Sequence, residues 1–355
     1  MSEPTTGAAT IWSDVVGQDT AVAALRRAAA APVHAYLFVG PPGSTKAQAA
    51  KAFAAALLTG SDDPTSRDAR LALVGEHPDV REVERVGAAI LMPQAREIVR
   101  QAALAPIEGQ RKVLILHEFH LLSPEAAGVM LKTIEEPTAS THFVVLADFV
   151  PNDLVTIASR CVQIEFSPIP EAVLVERLVA DGVDDDRARV AAAAAGGNVD
   201  RARLLIADDE FVARRDAFAV VPAALDGTGS AVVSTVADLL GRIEAAAAPL
   251  TARHAREVEA LDAREKQLGT RGSGRSVIEA RHKRELRRHR TDELRSGLAV
   301  IAGAYRDALV ADTAPHPDSV IDAVHRIHQS IEALDNNPNE TLLLQSLLWS
   351  LPPLN

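Results

Sequence analysis

His34-Ala35-Tyr36-Leu37-Phe38-Val39-Gly40-Pro41-Pro42-Gly43-Ser44-Thr45-Lys46-Ala47 is the stretch that decides the fold. A short β-leaning run passes through a proline- and glycine-rich turn into an alanine-rich helix that starts at Lys46. Gly40 and Lys46 have the spacing of a phosphate-binding loop, G-x-x-x-x-G-K-[S/T]. In such a loop backbone amides cradle phosphate, the lysine neutralises it and the next hydroxyl holds magnesium. Two positions depart from the pattern. Thr45 stands where the second glycine is expected, and a β-branched residue is disfavoured where the backbone needs unusual angles. Ala47 replaces the hydroxyl and offers a metal no oxygen. Gly40, Gly43, Ser44, Thr45 and Lys46 are therefore candidates for holding ATP through Lys46 and the helix N-terminus, with hydrolysis impaired. The plainer alternative is a structural proline-glycine turn.

Outward from this loop, helical and strand patterns alternate over the first 167 residues. Helices are expected over Asp19–Ala31, Lys46–Leu58, Gln94–Ala103 and Ser123–Glu135, the last with Ser123 as N-cap and Pro124 at the first helical position. Strands are expected over His34–Val39, Val80–Val83, Lys112–Leu116, Phe143–Ala147 and Val162–Phe166. Alternation of this kind implies a parallel, doubly wound α/β sheet. The acidic partner of a phosphate loop follows an apolar strand, with an aspartate for the magnesium shell and then a glutamate to orient water. After Lys112–Leu116 come His117-Glu118-Phe119-His120, so Glu118 remains while His117 stands at the aspartate position. Both defects strike the metal. His117 and His120 lack further ligands nearby, so no metal site is assigned.

Pro168 and Pro170 break the alternation. The expected domains are an α/β domain at 1–167, a small helical domain at 168–210 and an all-helical domain at 211–355. The last carries a charged insertion at about 251–295, interrupted by the glycine-rich hinge Gly269–Gly274. Within it Arg281, Lys283, Arg284, Arg287, Arg288, Arg290 and Arg295 form a basic run on a chain of net charge -11. That run is either a solvated helix face or a contact for phosphate. Cys161 is the single cysteine, which excludes an internal disulfide and a four-thiolate zinc site. Met1–Thr10 lacks the pattern of a signal peptide, and no apolar run approaches the roughly 18 residues of a membrane span. The expectation is a cytoplasmic protein with no membrane partner.

Several segments together carry a resemblance: Val16-Gly17-Gln18, His34–Phe38, His77-Pro78-Asp79-Val80, Gln94-Ala95-Arg96-Glu97, Ser123–Ala127, Leu131-Lys132-Thr133-Ile134-Glu135-Glu136-Pro137 and Ser159-Arg160-Cys161. In that order they resemble the clamp-loader branch of the AAA+ ATPases, and within it the bacterial delta-prime type of subunit. The resemblance implies an AAA+ domain, a helical lid and a collar. It implies a pentamer with gamma/tau and delta subunits that loads a sliding clamp onto primed DNA. It also implies that Arg160 is an arginine finger supplied in trans to a neighbour's ATP site, with Cys161 a small buried residue. Arg201 or Arg203 corresponds to the lid's nucleotide-sensing arginine, or is a helix-surface arginine. Many relatives bind zinc through four cysteines after the loop helix, but Thr59–Glu76 has none, so no zinc is expected and packing must hold that lobe. The alternative within the resemblance is a catalytically active gamma/tau-like ATPase, against which Ala47 and His117 stand. A nucleic-acid-binding module working through Arg281–Arg295 is a further alternative.

Overall fold

The strand segments alternate inward and outward about a single sheet. In the computed structural model, residues 9–85, 89–268, 275–311, 316–334 and 338–354 are described. The expected hinge Gly269–Gly274 and most of Met1–Thr10 lie outside them. The chain divides into two compact units, Met1–Arg203 and Leu204–Asn355. In chain order the elements of the first are α1 (Asp19–Ala30), β1 (Ala35–Val39), α2 (Lys46–Thr59), α3 (Arg67–Leu73), β2 (Val80–Val83), α4 (Met92–Ala103), β3 (Lys112–Leu116), α5 (Pro124–Glu135), β4 (Thr141–Ala147), α6 (Val155–Ala158), β5 (Val162–Glu165), α7 (Glu171–Ala180) and α8 (Asp185–Ala195). The division falls inside α9 (Val199–Ile206). Helices α7 and α8 thus group with the sheet.

The five strands among the described residues are all parallel, in the order β2-β3-β4-β1-β5. β3 and β4 are buried along their whole length, as central strands covered on both faces must be, whereas β5 at the edge is mostly exposed. The strand period of two sends alternate residues to different cores. Tyr36, Phe38, Val113, Ile115, Val144 and Leu146 pack with Phe53 of α2 on one face. Leu37, Leu114, Leu116, Phe143 and Val145 pack with Met130 and Ile134 of α5 on the other. Helix α2 is buried on nearly every side, which explains its run of alanines: small side chains let it lie close to the sheet. Ser123 caps α5 by accepting the Ala126 amide at 3.3 Å, with Pro124 at the first position.

The cysteine-free stretch after α2 contains α3, a helix the sequence reading did not separate. Ser66 caps it, and Ala69 and Ala72 are wholly buried against the α2 core. Asp79 explains its place in the His77–Val80 motif. It is buried, and its carboxylate accepts the amides of Ile107, Glu108 and Gly109, closing the loop before β3. Burial opposes its charge, but those three amides outweigh it and hold the carboxyl below its ordinary value.

The elements among the described residues of the second unit are all helices: α10 (Phe211–Ala219), α11 (Val221–Ala224), α12 (Gly229–Ala245), α13 (Ala248–Leu268), α14 (Arg275–Val310), α15 (Pro317–Ala333) and α16 (Glu340–Ser350). Helix α14, 36 residues long, places Leu294, Leu298, Ile301 and Tyr305 in a core shared with Val236 and Leu239 of α12, Ile327 of α15 and Leu344, Leu347 and Leu348 of α16. The Tyr305 hydroxyl donates to the Pro352 carbonyl at 2.6 Å, tying down the segment after α16.

Candidate functional site

The loop between β1 and α2 has the expected strand–turn–helix setting, and its glycines are there for contact as well as conformation. A Cβ at Gly40 would lie 2.3 Å from the Phe166 carbonyl oxygen. Gly43 has φ +73°, and a Cβ there would lie 1.9 Å from Asn198 Oδ1. Thr45 occupies the left-handed region at φ 61°, the unfavourable conformation its sequence position implied. Its buried hydroxyl offsets part of that cost by accepting the Val16 amide at 3.2 Å. Ser44 is fully buried, and its hydroxyl has no hydrogen-bond partner. Lys46 turns back onto the chain. Its ammonium donates to the carbonyls of Gly40 (2.8 Å) and Pro41 (3.1 Å) and to Asp148 Oδ1 (2.7 Å), just beyond β4. The Val199 amide, at the start of α9, donates to the Gly43 carbonyl at 3.3 Å.

The acidic motif is similarly committed. His117, directly after β3, meets Glu82 Oε2 of the adjacent strand at 3.0 Å, and Lys51 of α2 meets Glu82 Oε1 at 3.0 Å. Glu118 has φ 49° and is ion-paired to Arg85 at 2.8 Å. His120 accepts the Asp148 amide on Nδ1 at 3.1 Å, a structural use for a residue whose neighbour suggested metal. Burial pushes the Glu82 carboxyl up, but the His117 hydrogen bond and the Lys51 charge outweigh it and bring the group down to about 2. A carboxylate whose folded value is depressed stabilises the fold above its unfolded value and loses that contribution as pH falls toward the folded one. Glu82→Gln is therefore expected to cost roughly 1–3 kcal/mol near pH 7. In urea unfolding, the gap to the unsubstituted chain should narrow below about pH 4.5; a gap that stays constant into acid would contradict this.

Arg160 follows α6 at the edge of the first unit. Its guanidinium donates to the Thr156 carbonyl at 2.8 Å and forms an ion pair with Glu135, the last residue of α5, at 3.2 Å. Its Nε lacks an aligned hydrogen bond, so the Glu135 contact is a charge pair without directional bonding. The side chain is 33% exposed. The geometry thus joins two motifs far apart in sequence, Leu131–Pro137 and Ser159–Cys161. It does not bring Arg160 onto this chain's own loop: its contacts are with Thr156, Ser159 and Glu135. Cys161 packs against the α5 side of the sheet, and burial pushes its thiol up to about 12, which makes it a poor nucleophile at neutral pH. Arg201 donates to the Ala194 carbonyl at 3.3 Å and Arg203 pairs with Asp181 at 3.2 Å, both within the helices after the sheet.

Residues 17–170, which contain the loop, the acidic motif and Arg160, match the family described as DNA polymerase III, delta subunit. The delta' subunit of DNA polymerase III from Bacillus subtilis is 31% identical over 186 residues, 51% of this chain and 56% of that one. The tau subunit of the same organism is 32% identical over 209 residues, 55% of this chain and 37% of that one. The matched segment is thus similar to the delta' and tau subunits of DNA polymerase III. The chain spans about half or less of the length of these curated relatives. A DNA polymerase III gamma subunit-related protein of Thermotoga maritima aligns over 92% of this chain and 97% of its own, at 15% identity and a TM-score of 0.41, too loose a likeness to argue from.

Beyond the segment matched to this family, the basic run is largely answered within the chain. Arg281 pairs with Glu257, Arg290 with Glu340 at 2.6 Å and Arg295 with Asp292 at 3.5 Å, and Arg284 and Arg288 are also partnered. Cations already paired make a poor track for a phosphate backbone. Among the described residues, Asp68, His77 and Glu108 lie close enough together to suggest a cation. Arg67 already neutralises both carboxylates, at 3.1 and 2.7 Å. His77 Nδ1 accepts the Asp79 amide at 3.0 Å, which puts the neutral ring's proton on Nε2, the nitrogen facing Asp68. That donor set suits ion pairs. Among the described residues no helix is long and apolar enough to cross a membrane.

Sequence reasoning did not find Asp148, Glu135, Arg85 or Asn198 as partners of the site. Asp148 had a signal: it is a charged residue immediately after an apolar strand that neighbours the loop strand. Glu135 lay inside a motif already singled out.

Proposed function

We propose that the chain is a delta-prime subunit of a DNA polymerase III clamp loader. In this reading it assembles with gamma/tau and delta subunits and lends Arg160 to a neighbour's ATP site. Its own phosphate loop performs no hydrolysis. The observation that carries the reading is the contrast between the two sites. Lys46, His117 and Glu118 each have an intrachain partner, and the metal-binding hydroxyl is replaced by Ala47. Arg160 instead stands partly exposed in the turn after a short helix, held by a single carboxylate and carbonyl or hydroxyl contacts. An always-charged, forked guanidinium suits phosphate oxygens in a neighbouring site. Helices α7–α9 would act as the lid and α10–α16 as the collar. Leu342 and Trp349 of α16, each 62% exposed, offer apolar surface for packing there. Opening of a sliding clamp and its release on primed DNA would be actions of the whole complex, powered by the neighbours' ATP.

The tau match keeps a second reading in play, an active gamma/tau-like ATPase. Turnover separates the two. The isolated chain with ATP and magnesium is expected to show no hydrolysis above background, with Lys46→Ala making no difference. Added to gamma/tau and delta subunits, it should raise their ATP turnover. Hydrolysis by the lone chain that Lys46→Ala abolishes, or no stimulation of the assembled complex, would overturn the proposal.

A further inference from the structure

The loop's lysine is already saturated. An ammonium has three donors, and Lys46 directs its own to three acceptors, the Gly40 carbonyl, the Pro41 carbonyl and Asp148 Oδ1, at 2.8, 3.1 and 2.7 Å. Both partners of the ion pair are substantially withdrawn from water, Lys46 at 12% and Asp148 at 22% side-chain exposure. Asp148 is itself held in place, because its amide donates to His120 Nδ1 at 3.1 Å and His120 Nε2 lies 3.7 Å from its Oδ2. Beside this pair the Ser44 hydroxyl is fully buried with no hydrogen-bond partner. Asn198 fills the space over Gly43.

We infer that Asp148 is an internal anion that stands in for a phosphate on Lys46, and that this carboxylate decides whether the loop admits an external polyphosphate. A polyphosphate arriving at Lys46 has to displace one of three charge-assisted or carbonyl hydrogen bonds. It also has to place its negative charge beside a carboxylate fixed on the same ammonium. Like charges at contact distance in a partly dry site repel strongly. Removing the carboxylate's charge therefore does two things at once: it weakens the hold on a lysine donor and lifts the repulsion. The inference builds on the reading of a loop without hydrolysis, but it is independent of any role for Arg160.

The test uses the full-length chain, inorganic tripolyphosphate and ATP, both without magnesium, and isothermal titration at low salt. The unsubstituted chain is expected to bind neither in the micromolar range. Asp148→Asn, which keeps the side chain's size, should tighten tripolyphosphate binding by about tenfold or more, the worth of one charge-assisted contact. Asp148→Ser should do the same, and adding Lys46→Ala to either should erase the gain. A melting curve checks that each variant stays folded. Micromolar binding by the unsubstituted chain, no gain in either variant, or a gain that survives Lys46→Ala would each overturn the inference. Failure here with intact stimulation of the assembled complex would leave the arginine reading standing. Loss of stimulation alone would sink that reading and leave this one.

Discussion

Arg214→Ala is expected to destabilise the second unit by about 3–5 kcal/mol, the cost of stranding buried charge. Arg214 is almost fully buried, with its guanidinium between two acids. Nε donates to Glu293 Oε2 of α14 at 2.8 Å, and Nη2 lies 2.6 Å from Asp208 Oδ2 in the connection before α10. The Asp208 contact is a close charge pair without the alignment of a hydrogen bond, while the Glu293 contact has both. Glu293 is 4% exposed and Asp208 10%, so water cannot take over when the arginine is removed. The triad also stacks on Phe211, with the guanidinium carbon 5.8 Å from the ring centre. Urea unfolding followed by circular dichroism measures the loss. A change below about 1 kcal/mol would be the behaviour of a solvent-screened pair, and would contradict the burial argument.

The sheet was readable because its signals are redundant. Lys112–Leu116 and Phe143–Ala147 are apolar runs of strand length between turn residues, and both became central strands, the second extended back to Thr141. Ser123-Pro124 marked the start of α5 through cap chemistry that acts over three residues. The order of strands was not readable, because nothing local in β2 states that it pairs with β3 rather than β1. Helix α3 was overlooked for a related reason. Its burial rests on alanines, Ala69 and Ala72, which carry little hydrophobic signal yet pack fully against an alanine-lined α2.

At the site, residue types were legible and partners were not. The expectation that magnesium chemistry is lost came from the identities of Ala47 and His117 alone, since one lacks an oxygen and the other is not a carboxylate. That Thr45 would sit at positive φ was implied by the glycine it replaces. The capture of Lys46 by Asp148 spans 102 residues and depends on β4 lying beside β1 in the sheet, a fact of topology. Glu135 reaches Arg160 for the same reason, through the packing of α5 beside α6.

Replacement of Arg160 is expected to have the largest functional effect. In phosphoryl transfer an arginine supplied in trans is worth about a thousandfold or more in rate. Under the proposed role, the loss should be confined to the one neighbouring ATP site that Arg160 would reach. In a complex with three gamma/tau subunits, overall turnover would then fall by about a third if the sites act independently, and by more if firing is coupled around the ring. Arg160→Lys should recover little, because a point-charge ammonium lacks the fork that engages two phosphate oxygens. Assembly should not change, since the side chain is partly exposed and its intrachain partners, Glu135 and Thr156, are themselves at the surface. The most direct measurement is ATP turnover by a reconstituted complex with gamma/tau and delta subunits, made once with the unsubstituted chain and once with the Arg160→Ala variant, with stoichiometry fixed by native mass spectrometry. Reduced turnover at unchanged stoichiometry is the predicted result; equal turnover in two complete complexes would contradict it.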